Sequence, residues 1–309
     1  MRTFLAAALA ACAVSAAAGE PAGTSRADMT TGTLIGDARK IITSDKGDVR
    51  LWTHAPRVLV LSTDARVADM VRTIGGIVDT TVAAGFGDGF FSRITARTIP
   101  RDWPAADAEL SMRLRPGGPA GAEIEAKLGS LYDGASDIVV AVGDRKTIAL
   151  INTLWRADAD GARYQAEGHP FGCFYSAHSR AGQRQAAFVS IVPPEDDRAL
   201  YACLWEELLH TLGPLRDAHQ TPFFSFNDRT KTWPQRENDI MLIKALYESG
   251  AGAGGDPEVV LRHFEALLEA SGQDVCPHGR QENAFGCLEV AQANPSWTKT
   301  LSENLGAER

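Results

Sequence analysis

Positive charge is the scarcer sign in this chain: 31 Lys and Arg stand against 39 Asp and Glu, a net charge of −8. No basic patch interleaved with aromatics relieves that acidity, which argues against nucleic acid as a partner. Past the N-terminus no apolar run approaches the roughly 18 to 20 residues that a membrane-spanning helix requires. Gly75-Gly76 and Gly85 to Gly89 lack the helix start that a phosphate loop needs, and no dinucleotide fingerprint is present. Cysteine is sparse, and none of the five residues stands in C-x-x-C spacing, which removes the usual pattern of a structural zinc site. No internal repeat is found. What remains is an acidic globular chain of 309 residues, 44% hydrophobic, able to bury one large core or two moderate ones.

The N-terminus reads as an export signal. Met1-Arg2-Thr3 forms a short positive region, Phe4 to Val14 an apolar stretch, and Ala16-Ala17-Ala18 a small-residue cleavage site, so residues 1–18 are expected to be removed and the mature chain to be periplasmic or secreted. Leu9-Ala10-Ala11-Cys12 also fits a lipobox, the alternative being a lipoprotein anchored through Cys12. Residues 19–50, rich in Gly, Ala, Thr and Ser, read as a linker or flexible arm.

From Arg57 onward strand and helix signals alternate. Arg57 to Ser62, Ser92 to Thr98 and Ser136 to Val142 read as strands, and Arg66 to Ile77, Ala122 to Tyr132 and Arg145 to Trp155 as helices, giving an N-terminal α/β part over residues 51–165. In residues 166–270 strands are expected at Cys173 to Tyr175 and Ala186 to Val192, then a helix carrying Glu206 to His210, a polar loop over residues 214–236, and helices at Glu237 to Tyr247 and Pro257 to Ala270. Residues 271–309 form a tail.

The chemistry concentrates in Trp205-Glu206-Glu207-Leu208-Leu209-His210-Thr211-Leu212-Gly213. This is the H-E-x-x-H-x-x-G helix of zinc peptidases with Glu206 in place of the first histidine. At about 100° per residue, Cys203, Glu206, Glu207 and His210 share one strip, opposite an apolar arc of Tyr201, Leu204, Trp205, Leu208, Leu209 and Leu212. The plain reading is a solvated strip with an i,i+4 ion pair between Glu206 and His210, worth a few tenths of a kcal/mol. The chemical reading is a metal site held by Glu206 and His210, with Glu207 as general base toward the attacking water. Gly213 and Pro214 stop the helix and turn the chain back, so that Asp217 or His219 can supply the third ligand. Such an oxygen-rich set suits zinc or another divalent ion. Glu207-x-x-His210 is also half of a di-iron carboxylate motif, but no second Glu-x-x-His exists to complete it.

Four cysteines follow the signal segment, and an even count in an exported chain points to two disulfides. Of the three formal pairings, loop length and context favour Cys173 with Cys203 and Cys276 with Cys287. The first would cover the strip that carries Glu206 and His210. His54, His169, His178, His263 and His278 show no ligand spacing and read as surface or packing residues. Met241 reads as a core residue of its helix, and Asn227 with Asp228 as turn-forming residues.

The Cys203 to Gly213 run, Asp217, Phe224-Ser225-Phe226-Asn227-Asp228 and the pattern Asp239-x-x-Leu242-x-x-Ala245-Leu246-Tyr247 resemble the proteobacterial domain-of-unknown-function family numbered 2927, over roughly residues 135–270. Members of that family are exported, often described as lipoproteins, and have no established reaction. Many carry Gln where this chain has His210. The expected fold is α/β (α+β) and zincin-like: a mixed sheet with backing helices and a metal-motif helix, followed by a mainly helical C-terminal part. Zincins place an edge strand just ahead of their metal helix, where an extended peptide can add by strand pairing. Two functions follow as expectations. One is an exported zinc-dependent peptidase, the other a catalytically inactive zincin-like envelope protein that binds peptides or partner proteins.

Overall fold

The computed structural model describes residues 31–82, 89–99, 135–145, 172–218, 224–226 and 237–271, together with Phe86, Leu131, Thr147, Ile148, Ile151 and Thr221. Helix α1 (Thr31–Ile42) leads into strand β1 (Arg57–Ser62), helix α2 (Ala65–Thr81) and strands β2 (Arg93–Thr98) and β3 (Ile138–Val142). Strands β4 (Cys173–Arg180) and β5 (Gln183–Ile191) precede helix α3 (Asp197–His210), and helices α4 (Glu237–Glu248) and α5 (Pro257–Ser271) close the described chain. This is the expected α/β class with a helical C-terminal part.

The five strands form one sheet in the order β2-β1-β3-β5-β4, with β4 antiparallel to β5 and every other pairing parallel. The buried runs of β1 and β3 explain their central places, since a parallel strand covered on both faces carries apolar residues at successive positions instead of alternating. Asp64 caps α2 and Asp196 caps α3, each carboxylate accepting from the backbone N–H two residues on. β4 and β5 are joined by Ala181-Gly182, both with positive φ (49° and 80°), the backbone that a two-residue hairpin demands. The short strand expected at Cys173 to Tyr175 is therefore the start of an eight-residue edge strand.

Residues 31–50 correct the expectation of a linker or flexible arm. Leu34, Ala38 and Ile41 recur at i, i+4 and i+7 and are fully buried, α1 packs on α5, and Val49, Leu51 and Trp52 continue into the same core. The small-residue composition of the stretch hid a short amphipathic helix. The Ala122 to Tyr132 helix is represented only by Leu131, and only part of the Arg145 to Trp155 helix is described. Residues 1–18, with Cys12, and the tail with Cys276 and Cys287 lie outside the described residues. Among the described residues no helix is long and apolar enough to cross a membrane.

Asp137 joins the N-terminal ends of β1 and β3. Its carboxylate accepts from the Arg57 backbone N–H at 2.8 Å and from the Arg57 guanidinium at 3.1 Å and 3.2 Å. Burial pushes its pKa up, but the hydrogen bonds and charge of Arg57, with His54 beside them, prevail and hold it below the usual carboxylate range. A depressed folded-state pKa contributes stability that is complete above the unfolded value of about 3.9 and is lost as the pH falls through the folded value. Asp137→Asn should therefore lower the urea midpoint at pH 7, and the gap to the parent should narrow at acid pH. A gap that stays constant from pH 7 down to the acid limb would remove the ion pair from the account.

Candidate metal site

Helix α3 is buried nearly all round. Leu204, Trp205, Leu208 and Leu209 fill the core on one side, while Cys203, Glu207 and His210 on the other are buried as well. Of the strip, Glu206 is half-buried. The solvated-strip reading therefore fails, and what covers the strip is identifiable. Cys203 is joined by a disulfide to Cys173, the first residue of β4, with Cα atoms 5.7 Å apart. Two residues along β4, the Tyr175 ring stacks on the His210 imidazole, centroids 4.4 Å apart and planes within 3°. The Phe226 ring also packs against the imidazole, tilted by 55° with centroids 4.8 Å apart.

The helix end determines the third group. After His210 the backbone tightens, with Leu212 N–H donating to Leu209 and Gly213 N–H to His210, and Gly213 takes φ 146°. A Cβ there would stand 2.9 Å from the Leu246 side chain and 3.3 Å from the Arg50 carbonyl, so glycine is required for the close approach as well as for the backbone angle. The chain then returns past the helix end. Leu215 N–H donates to the Ile41 carbonyl at 2.7 Å, and the Tyr175 hydroxyl donates to the Leu215 carbonyl at 2.7 Å. These anchors deliver Asp217 to His210: its Oδ1 lies 3.0 Å from Nε2, while Nδ1 lies 3.4 Å from the Pro214 carbonyl.

Glu206, His210 and Asp217 thereby form one group whose donor atoms all lie within 4.8 Å of one another. Zinc at about 2.1 Å from each donor sets tetrahedral donors roughly 3.4 Å apart. The His210–Asp217 pair is slightly tighter than that and the group as a whole slightly looser, so side-chain adjustments on the order of 1 Å convert the cluster into a three-donor site. The donor chemistry also fits, one imidazole with two carboxylates, and the Pro214 carbonyl opposite Nε2 is the outer partner that commonly orients a ligating histidine. Glu206, His210 and Asp217 can hold a metal ion. His219 lies outside the described residues. Glu207 is not in the group, but it is buried one position away and its charge acts on both His210 and Tyr175.

The electrostatics around the imidazole follow from these partners. Burial pushes the His210 pKa down, but the hydrogen bond and charge of Asp217, with Glu207 and the Pro214 carbonyl behind them, outweigh burial and raise it. Burial also pushes the Tyr175 hydroxyl far up, leaving it a neutral donor. Arg184, almost wholly buried, donates to the His210 carbonyl at 3.3 Å and sets a positive charge against the C-terminal end of α3. Burial lowers its pKa.

Several positioning residues carry no local sequence signal of their role. Asp239, fully buried on α4, accepts from the Trp205 indole at 2.9 Å, from the Ser225 hydroxyl at 2.6 Å and from the Ser225 backbone N–H at 2.9 Å. It thus fastens α3 to the segment that carries Phe226. The Tyr247 hydroxyl donates to the Leu212 carbonyl at 2.7 Å, and the Trp52 indole donates to the Thr211 carbonyl at 3.0 Å. Asp239 and Tyr247 belong to the pattern that carried the family resemblance, and each holds the metal-motif helix or its end. Met241 is a partly buried residue packed against the core, as expected.

Residues 118–263 match the family described as Protein of unknown function (DUF2927). The match encloses β3, β4, β5, α3, α4 and the start of α5, and so contains all three donors. Comparison with curated proteins and with solved structures finds no match.

The disulfide has a measurable weight. It closes a loop with a sequence separation of 30, for which chain-entropy reasoning gives about 3 to 4 kcal/mol. Cys203→Ser in the full chain should lower stability by about 3 kcal/mol in urea unfolding. Equal midpoints for the variant and the oxidised parent would show that the bond is not formed.

Proposed function

We propose that this chain is an exported zinc-dependent peptidase, with Glu206, His210 and Asp217 as metal ligands and Glu207 as general base. The observation that carries the reading is the convergence of an imidazole and two carboxylates, from a helix and from the loop that returns past its end, in a group whose donor atoms lie within 4.8 Å of one another. A bound zinc ion supplies Lewis-acid activation of water and of the scissile carbonyl. Glu207, next to a ligand and shielded from solvent, accepts a proton from the attacking water and returns it to the leaving amine. β4 is the edge of the sheet and directly precedes β5 and α3, the placement in which an extended peptide adds as a further strand. The Cys173–Cys203 disulfide suits an oxidising compartment and so supports export.

One observation favours the second reading, a metal-free module that binds peptides. Both ring nitrogens of His210 have partners already, Asp217 and the Pro214 carbonyl, so the cluster is hydrogen-bonded as it stands. Metal analysis of the full chain, purified without chelator or affinity metal, separates the two when combined with hydrolysis of a mixed peptide library. Stoichiometric zinc with cleavage supports the peptidase. Protein that takes up no zinc when it is offered and cuts nothing is the binding module.

A further inference from the structure

Cys173 and Tyr175 stand two positions apart on β4, and alternate residues of a strand point to the same face. Both meet α3. Cys173 is bonded to Cys203, and Tyr175 lies over His210, about two turns further along the helix. The disulfide thus fixes the start of β4 against the helix that carries the metal motif, and the stack follows from that placement.

Tyr175 reaches two of the three donors through different parts of one side chain. Its ring stacks on the His210 imidazole, centroids 4.4 Å apart and planes within 3°. Its hydroxyl, kept neutral by burial, donates at 2.7 Å to the carbonyl of Leu215, two residues before Asp217. The Leu215 N–H is held in turn by the Ile41 carbonyl at 2.7 Å, and beyond Asp217 the Ala218 N–H donates to the Phe226 carbonyl at 2.9 Å. Asp217 therefore sits on a short span fastened on both sides. The Arg216 to Asp45 pair within that span joins a half-exposed guanidinium to an almost fully exposed carboxylate and adds little. Tyr175 ties the upstream fastening to the very imidazole that Asp217 meets.

We propose that Tyr175 is a positioning residue of the Glu206, His210 and Asp217 group, its ring setting the plane of the imidazole and its hydroxyl setting Asp217 against Nε2. The effect on metal binding rests on the metal-site reading proposed above, whereas the effect on the His210 to Asp217 contact is testable without metal. Outer partners that orient metal ligands govern affinity by about 10-fold to 100-fold. A tyrosine that only filled the core would change stability and leave the donors in place.

The test measures zinc affinity of the full chain by competition with a chromophoric chelator, and the His210 ring signals by NMR of the metal-free chain at fixed pH. The samples are the parent, Tyr175→Phe, Tyr175→Leu and Val71→Ala, the last a fully buried residue of α2 outside the donor group. Tyr175→Phe keeps the ring and loses the hydroxyl. It should bind zinc about tenfold more weakly and move the Nε2 resonance, while the ring-current displacement of the His210 ring protons persists. Tyr175→Leu should weaken zinc about 100-fold and abolish that displacement as well. Val71→Ala should unfold at lower urea with zinc affinity at the parental level. Should the leucine variant fail to fold, Tyr175→Phe decides alone. Parental zinc affinity in Tyr175→Phe, or an equal loss in Val71→Ala, overturns the positioning role and leaves the metal site standing. A parent that binds no zinc, with Nε2 still moved in Tyr175→Phe, keeps Tyr175 as the positioning residue of a metal-free group and loses the peptidase. No zinc in the parent and an unmoved Nε2 in Tyr175→Phe end both.

Discussion

Replacing His210 by alanine should strip the protein of stoichiometric zinc. Imidazole is the one strongly zinc-preferring donor in the group, and two carboxylates by themselves hold hard cations more loosely. Loss even of an outer partner of a metal ligand weakens affinity by about 10-fold to 100-fold, so loss of the histidine itself should exceed roughly 100-fold. Alanine also leaves a hole beside Tyr175 and Phe226 where a 1% exposed ring had packed, so stability falls together with metal binding. His210→Gln separates the two effects, because the amide fills much of that space and can still bond to Asp217 while offering zinc no imidazole. Both variants should lack zinc by elemental analysis, and the glutamine form should unfold closer to the parental temperature. Full zinc content in His210→Ala would falsify the site.

The parts of this arrangement that were legible in the sequence are those set by short-range periodicity. Glu206 and His210 lie one helical turn apart, and a glycine and a proline directly after the helix announce a chain reversal that brings Asp217 back. The pairing of Cys173 with Cys203 was also readable, from the even cysteine count and the position of Cys203 on the chemical strip. What surrounds the imidazole was not legible. Tyr175 stacks on His210 from a strand whose true length depends on the Ala181-Gly182 hairpin, and Ala-Gly is a weak turn signal compared with Asn-Gly.

Long-range hydrogen bonds were hidden for the same reason. Asp239 reaches Trp205 across 34 positions and Trp52 reaches Thr211 across 159, distances over which no local pattern operates. Residues 31–50 were misread because the small-residue composition of the whole 19–50 stretch was weighed in place of the helical periodicity within it, in which Leu34, Ala38 and Ile41 fill the core beneath α5. The consequence reaches the site. Ile41 anchors Leu215 and Asp45 pairs with Arg216, so the segment that composition assigned to an arm holds the loop that presents Asp217.

Glu207→Gln and Glu206→Gln should part company in metal content while both lose activity. Glu207 stands outside the donor group, so its amide variant should keep zinc. The amide preserves shape and hydrogen-bonding reach but takes no proton from water, and removal of a general base typically lowers turnover about 10² to 10⁴-fold. Glu206 is one of the three donors. Its amide is a poorer ligand than a carboxylate, so Glu206→Gln should lose zinc and lose turnover as a result. Bound zinc and hydrolysis of the mixed peptide library, measured on both variants and the parent, decide the assignment. Zinc lost from Glu207→Gln but retained by Glu206→Gln would exchange the roles of the two glutamates. Undiminished turnover in Glu207→Gln, in a parent that binds zinc and cleaves, would leave the metal site intact and require another base within reach of the attacking water.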